Sequence, residues 1–232
     1  MCYGISMITR WDRLLKIIRN AQADGNQSKI IQPLRNFVRK YPEHFDAQVE
    51  LASALYHVVY DYMTKLGQSF VEVKKYPSKY RLVAEAIKIC EQIIQNVDET
   101  NQRALKNARI MLAQIFSLFG DPKGLEMSKK NYDDFQDTLL LERYATNCFY
   151  FDKWNDAIRI LHHYLSEARK NKESLTPGYE KLVVAYSNVG DNQKALEYYS
   201  KLKNQLPKDF PDKKVQKAIL AGLEKILKGH QH

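Results

Sequence analysis

Residues 179–207 read YEKLVVAYSNVGDNQKALEYYSKLKNQLP, and their spacing decides the fold. Leu182, Val183, Tyr186 and Val189 recur at intervals of three and four, so they share one face of a helix. Ala195, Tyr198, Tyr199 and Leu202 form a second such face. Gly190 separates the two, since glycine adopts the left-handed conformation that closes a helix at little cost. Asp191 then offers a cap oxygen to the next helix. Pro207 is expected to end that helix by forbidding its continuation. One hairpin of this kind cannot bury both apolar faces, so it needs neighbours.

The neighbours are present. Residues 141–169 repeat the scheme, with Leu141, Tyr144, Ala145, Cys148, Ala157, Leu161 and Tyr164 in register and Phe151-Asp152-Lys153 at the turn. Residues 14–42 do so with Leu14, Ile17, Ile18, Ala21, Gly25, Ile30, Leu34, Phe37 and Pro42. Pro33 falls inside the second helix of that copy and is expected to delay or kink its start. Residues 109–137 fit more loosely, through Leu112, Ala113, Phe116, Gly120, Leu125 and Tyr132, with Pro122 in a first helical turn. One copy is split. Gln48, Leu51, Ala52 and Leu55 open it, and Ala86, Cys90 and Ile93 close it. About 22 extra residues intervene, among them TKLGQSFVEVKKYPSKY.

The register resembles that of the tetratricopeptide repeat: a large residue, Leu three on, a small residue, Tyr, then Ala, an aromatic and a late Pro. Tyr179, Leu182, Val183, Tyr186, Ala195, Tyr199 and Pro207 hold those places here, with valine where the pattern prefers glycine. The resemblance implies an all-α, right-handed superhelical array of antiparallel helix hairpins. Five hairpins would cover residues 11–209, after an N-terminal extension over 1–10 and with an insertion near 61–81 splitting the second. A helix over 212–228, with Val215, Ile219, Leu220, Leu223 and Ile226 on one face, would cap the array, leaving a disordered tail at 229–232.

Charge is uneven. The net charge is +9, yet residues 1–45 and 201–232 each carry eight Lys or Arg against three acids, and the middle is close to neutral. Basic ends can meet RNA, an acidic protein or an anionic surface, or simply stay solvated. Cys2, Cys90 and Cys148 are odd in number and widely spaced, which argues against a disulfide framework. No stretch approaches the length of a membrane helix, and no secretory signal is evident at the start. A reducing compartment, the cytoplasm, is the expectation.

The motifs of catalysis are missing: no phosphate loop, no Gly-x-Ser-x-Gly elbow, no His-Glu-x-x-His pair. His162 and His163 are adjacent and point about 100° apart on a helix, so packing or surface roles suit them better than one metal. Asp133, Asp134 and Asp137 lack the spacing of a calcium loop. No cofactor, metal or catalytic residue is expected, and the chain reads as a non-catalytic adaptor or assembly factor.

What remains is recognition. The resemblance implies a concave groove lined by first helices. Its places here include Arg19, Gln22, Ser53, Tyr56, His57, Gln114, Ser117, Glu142, Thr146, Phe149, Tyr150, Glu180, Ser187 and Asn188. Such a mixture of amide, hydroxyl and aromatic groups suits a protein or peptide ligand. The lysine and arginine clamp that some relatives place on acidic chaperone tails is not reproduced, with Leu15 and Asn107 at two of its places. The insertion interleaves Tyr62, Phe70, Tyr76 and Tyr80 with Lys65, Lys74, Lys75 and Lys79. It could contact nucleic acid by stacking and phosphate neutralisation, or pack back onto the repeats and leave its lysines wet. Exposed apolar groove surface could also make the chain a homo-oligomer.

Overall fold

The computed structural model describes residues 2–229, and among them it contains α-helices, two short 3-10 turns and no strand. The chain divides into two compact units, Met1–Phe119 and Gly120–His232.

The first unit contains α1 (Cys2–Ala23), α2 (Ser28–Lys40), α3 (Phe45–Lys65), α4 (Pro77–Asn96) and α5 (Gln102–Leu118). Each helix packs on the next in sequence, and α3 also meets α5. The core follows most of the stripes read from the sequence, Leu14 and Ile18, then Ile30 and Leu34, then Leu51 and Leu55, then Ala86, Cys90 and Ile93, whereas Ile17, expected among them, is exposed. Fully burying one such leucine contributes about 1.5–3 kcal/mol. Arg35 of α2 donates two hydrogen bonds to the Glu85 carboxylate of α4, 2.9 and 2.5 Å long. The expected extension over 1–10 is not separate: residues 2–10 form the first turns of α1. Pro33 does not delay α2, which starts ahead of it at Ser28.

The second unit contains α6 (Lys123–Phe135), α7 (Thr138–Phe149), α8 (Trp154–Lys170), α9 (Thr176–Asn188), α10 (Asn192–Asp209) and α11 (Lys213–Gly229). Two hairpins, α7–α8 and α9–α10, share one core of Leu141, Ala157, Leu161, Leu182, Ala195 and Leu202. The turns obey the sequence. Gly190 has φ +78°, Asp152 has φ +53°, and the Asp191 carboxylate accepts from the Lys194 amide. Pro207 does not end α10, which runs on to Asp209. Leu206 is buried there and accepts the Phe210 amide, so packing holds the last turn despite the proline. The third match, 109–137, is divided at its turn, with α5 in one unit and α6 in the other. The fully buried residues of α6 are small or polar, Gly124, Ser128 and Asn131, while its Leu125 and Tyr132 pack half-buried against the core.

α11 covers the apolar ends of α9 and α10 with Leu223 and Leu227, and Tyr199 donates to Glu224 at 2.7 Å. The expected tail at 229–232, with His230 and His232, lies outside the described residues apart from Gly229, which ends α11.

Candidate functional site

In the second unit the first helices of the two hairpins, α7 and α9, lie against each other. On α7, Leu139, Glu142, Thr146 and Tyr150 fall at spacings of three and four and form one stripe. On α9, Lys181, Val184 and Asn188 form the facing stripe. Lys181 Nζ lies 2.7 Å from Glu142 Oε1, and Arg143 Nε approaches the other oxygen at 3.4 Å. The Glu142 side chain is only 7 % exposed, so this expected groove residue anchors the helix pair instead of presenting a free carboxylate. Around the ion pair the surface is open. Leu139, Tyr150 and Val189 are exposed apolar groups. Thr146 is half-buried, and its Oγ1 donates to the Glu142 carbonyl at 2.9 Å. Asn188 Nδ2 donates to the Val184 carbonyl at 2.9 Å, which leaves Oδ1 to accept from a ligand. Phe149 is half-buried, and Ser187, another expected groove residue, is buried.

The corresponding face of the first unit is different. Tyr56, expected as an exposed anchor, is 2 % exposed. Its hydroxyl accepts from Gln114 Nε2 at 2.9 Å, which ties α5 to α3. Its ring packs 6.0 Å from Phe70, and Phe70 packs 5.2 Å from Phe119. The inserted segment therefore covers the place where Tyr56 would meet a ligand. His57, 5.0 Å from the Tyr56 ring, remains exposed, as does Arg19. Gln114 and Ser53 are half-buried and Ser117 is buried. The side chain of Gln22 lies outside the described residues.

The insertion is built, not loose. It lengthens α3 to Lys65, forms a 3-10 turn over Phe70–Lys75 and starts α4 at Pro77, a residue preset for a first helical turn. Phe70 and Val73 bury inward. Lys75 pairs with Glu72 at 2.7 Å, Tyr76 donates to Gln68 at 2.6 Å, and Lys79 sits 4.7 Å over the Tyr62 ring. Lys65 and Lys74 are exposed. Lys65 and Lys79 line a cleft of about 390 Å³ together with Asp24 and Asp61, so its charges balance and it lacks the one-signed field that phosphates need.

The adjacent histidines are exposed and each meets a tyrosine hydroxyl. His162 meets Tyr186 Oη at 3.0 Å, and His163 meets Tyr132 Oη at 3.4 Å. Burial pushes the Cys90 thiol up to about 12 and the Cys148 thiol up to about 11. Among the described residues no cluster of three or more His, Cys, Asp or Glu could hold a metal, and no helix is long and apolar enough to cross a membrane. Sequence reasoning missed Lys181 and Leu139. The signal was there: Lys181 stands seven residues before Asn188 and Leu139 seven before Thr146, each pair on one helical face.

No family model matches the chain, and no curated protein matches it. Among solved structures it is similar to the nearly identical TPR-like repeats of a protein assigned as a kinesin light chain in Podosopora anserina. The TM-score is 0.59 at 15 % identity, over 88 % of this chain and 97 % of that one. A second structure of those repeats gives a TM-score of 0.57 at 15 % identity, over 88 % and 98 %. Identity at this level speaks for fold alone. Consecutive packed helix pairs together with these neighbours establish the fold: the chain has a TPR-like helical-repeat fold.

Proposed function

We propose that the chain is a non-catalytic scaffold that binds an extended or helical segment of another protein on its first-helix faces, best developed on α7–α9. The observation that supports this is the open stripe around the Lys181–Glu142 pair. It sets Leu139 and Tyr150, as apolar anchors, beside Thr146 and Asn188, as acceptors for a peptide backbone. The ion pair fixes the spacing of the two helices, so the surface is organised before a ligand arrives. Cys90 and Cys148, buried and unpaired, suit a reducing compartment such as the cytoplasm.

The test is affinity capture from cell extract with the tagged chain, with and without nuclease, beside a Tyr150→Ala/Asn188→Ala variant. A defined protein that survives nuclease and is lost with the variant supports the reading. Recovery that collapses with nuclease, or that ignores the variant, contradicts it.

A further inference from the structure

The first hairpin carries a slot of about 300 Å³ between α1 and α2, lined by residues of these two helices and by Tyr41. Ile17, Pro33 and Phe37 form much of its floor, and Arg10, Arg13 and Lys40 stand around it. Arg10, Arg13 and Ile17 are spaced by three and four, so they share one side of α1, whereas Asp12 falls on the opposite side. No carboxylate lines the slot among the described residues. The cations are arranged by their neighbours: Arg10 donates to Tyr41 Oη at 3.3 Å, and the Lys40 ammonium stands 5.7 Å over the Tyr41 ring. Ile17 is 49 % exposed, an apolar side chain in a lining that also holds Arg10, Arg13 and Lys40.

This combination selects among occupants. A phosphate or a nucleic acid would use the cations and leave the aliphatic floor unused; base stacking needs an open aromatic face, Phe37 is buried, and the half-exposed Tyr41 ring already carries the Lys40 ammonium over its face. A second copy of the chain is disfavoured by charge. Pairing this face with itself would set cations on cations. Pairing it with α11 would do the same, since α11 bears Lys213, Lys214, Lys217, Lys225 and Lys228 against Glu224 alone. An acidic amphipathic helix satisfies both features at once. From Arg10 to Ile17 the slot extends about 10 Å along α1, roughly two turns of a partner helix.

We propose that the open face of α1–α2 docks an acidic amphipathic helix of a partner protein. Its aliphatic side chains rest on Ile17 and Pro33, and its carboxylates face Arg10, Arg13 and Lys40.

The probe is a fluorescein-labelled helical peptide of about four turns with leucine at i, i+3, i+4 and i+7 and glutamate on its flanks. A second peptide keeps the leucines and replaces glutamate by lysine. Fluorescence anisotropy with the full chain reads affinity at low and high salt. The glutamate peptide is expected to bind at least about tenfold tighter than the lysine peptide, with the gap narrowing as salt rises. Arg13→Glu/Lys40→Glu and Ile17→Asp should each weaken it about tenfold or more. Both variants change exposed positions, and an unchanged circular dichroism melt separates lost docking from lost folding. Four results overturn the proposal: no binding of the glutamate peptide, equal binding of both peptides, indifference to both variants, or displacement of the peptide by a uridine oligonucleotide. Sedimentation showing a dimer that Ile17→Asp dissolves would also overturn it, in favour of a self-association face.

Discussion

Lys181 of α9 reaches across to Glu142 of α7 and joins two consecutive helix pairs through one ion pair of 2.7 Å. Glu142 is the deeper partner, 7 % exposed against 21 % for the Lys181 side chain. Lys181→Ala would leave a buried carboxylate with only long contacts, to Arg143 and Thr146 at 3.4 Å each, and is expected to cost about 1–3 kcal/mol in urea unfolding. A double-mutant cycle with Glu142→Ala should give a coupling of about 1 kcal/mol or more. Additive single effects would mean that the pair does not tie the helices.

Two glycines should respond in opposite directions to alanine. A Cβ on Gly178 would stand 2.6 Å from Leu165 Cδ2 and 2.7 Å from Tyr164 Cδ1. Tyr164 cannot swing away easily, because its hydroxyl donates to the Ser174 carbonyl at 2.8 Å. Gly178→Ala should therefore destabilise by about 1–3 kcal/mol. Gly222, inside α11, has nothing within 4 Å of its Cβ position. Gly222→Ala should stabilise by roughly 0.5–1 kcal/mol through helix propensity alone. Thermal melts of both variants check the packing of α8 on α9 and the helical state of α11.

Cys90 and Cys148 should resist alkylation in the native protein. Burial holds both thiols far above neutrality, at about 12 and about 11, and the thiolate is the reactive form. Iodoacetamide at mildly alkaline pH, read by peptide mass spectrometry, is expected to modify neither until denaturant is added. Modification of either in a folded sample would contradict the core assignment.

Acid should act through His162. Burial first, then Lys201, Lys194 and Arg169, holds its pKa below the ordinary 6.5. A depressed pKa means that the folded state binds the proton less readily than the unfolded chain. The stability linked to it is whole above about pH 6.5 and is lost as pH falls through the depressed value. His162→Gln should flatten the dependence of Tm on pH across that window. A variant as acid-sensitive as the parent would assign the acid limb elsewhere.

How much was legible depends on whether a feature is local. Gly25, Gly120 and Gly190 stand at helix-pair turns with φ between +63° and +78°, and each was readable because the left-handed conformation favours glycine. Most buried stripes followed from spacing, but Ile17, Val189 and Val215, expected on them, are exposed. The site was harder. Tyr56 holds the right place in its repeat, yet Phe70, fourteen residues on, covers it. No periodicity encodes that contact. Glu142 was expected in the groove, yet it pairs with Lys181 of the next hairpin, and pairing across hairpins depends on packing distance. Pro207 misled for a related reason: burial of Leu206 outweighs a local breaker in the final turn.

The most direct measurement places a photo-cross-linking amino acid at Tyr150, at Asn188, and at Ser166 on α8 as a control, followed by irradiation in cell extract. The account predicts the same discrete protein adduct from positions 150 and 188 and none from 166. Identical patterns from all three positions, or adducts to nucleic acid alone, would contradict it.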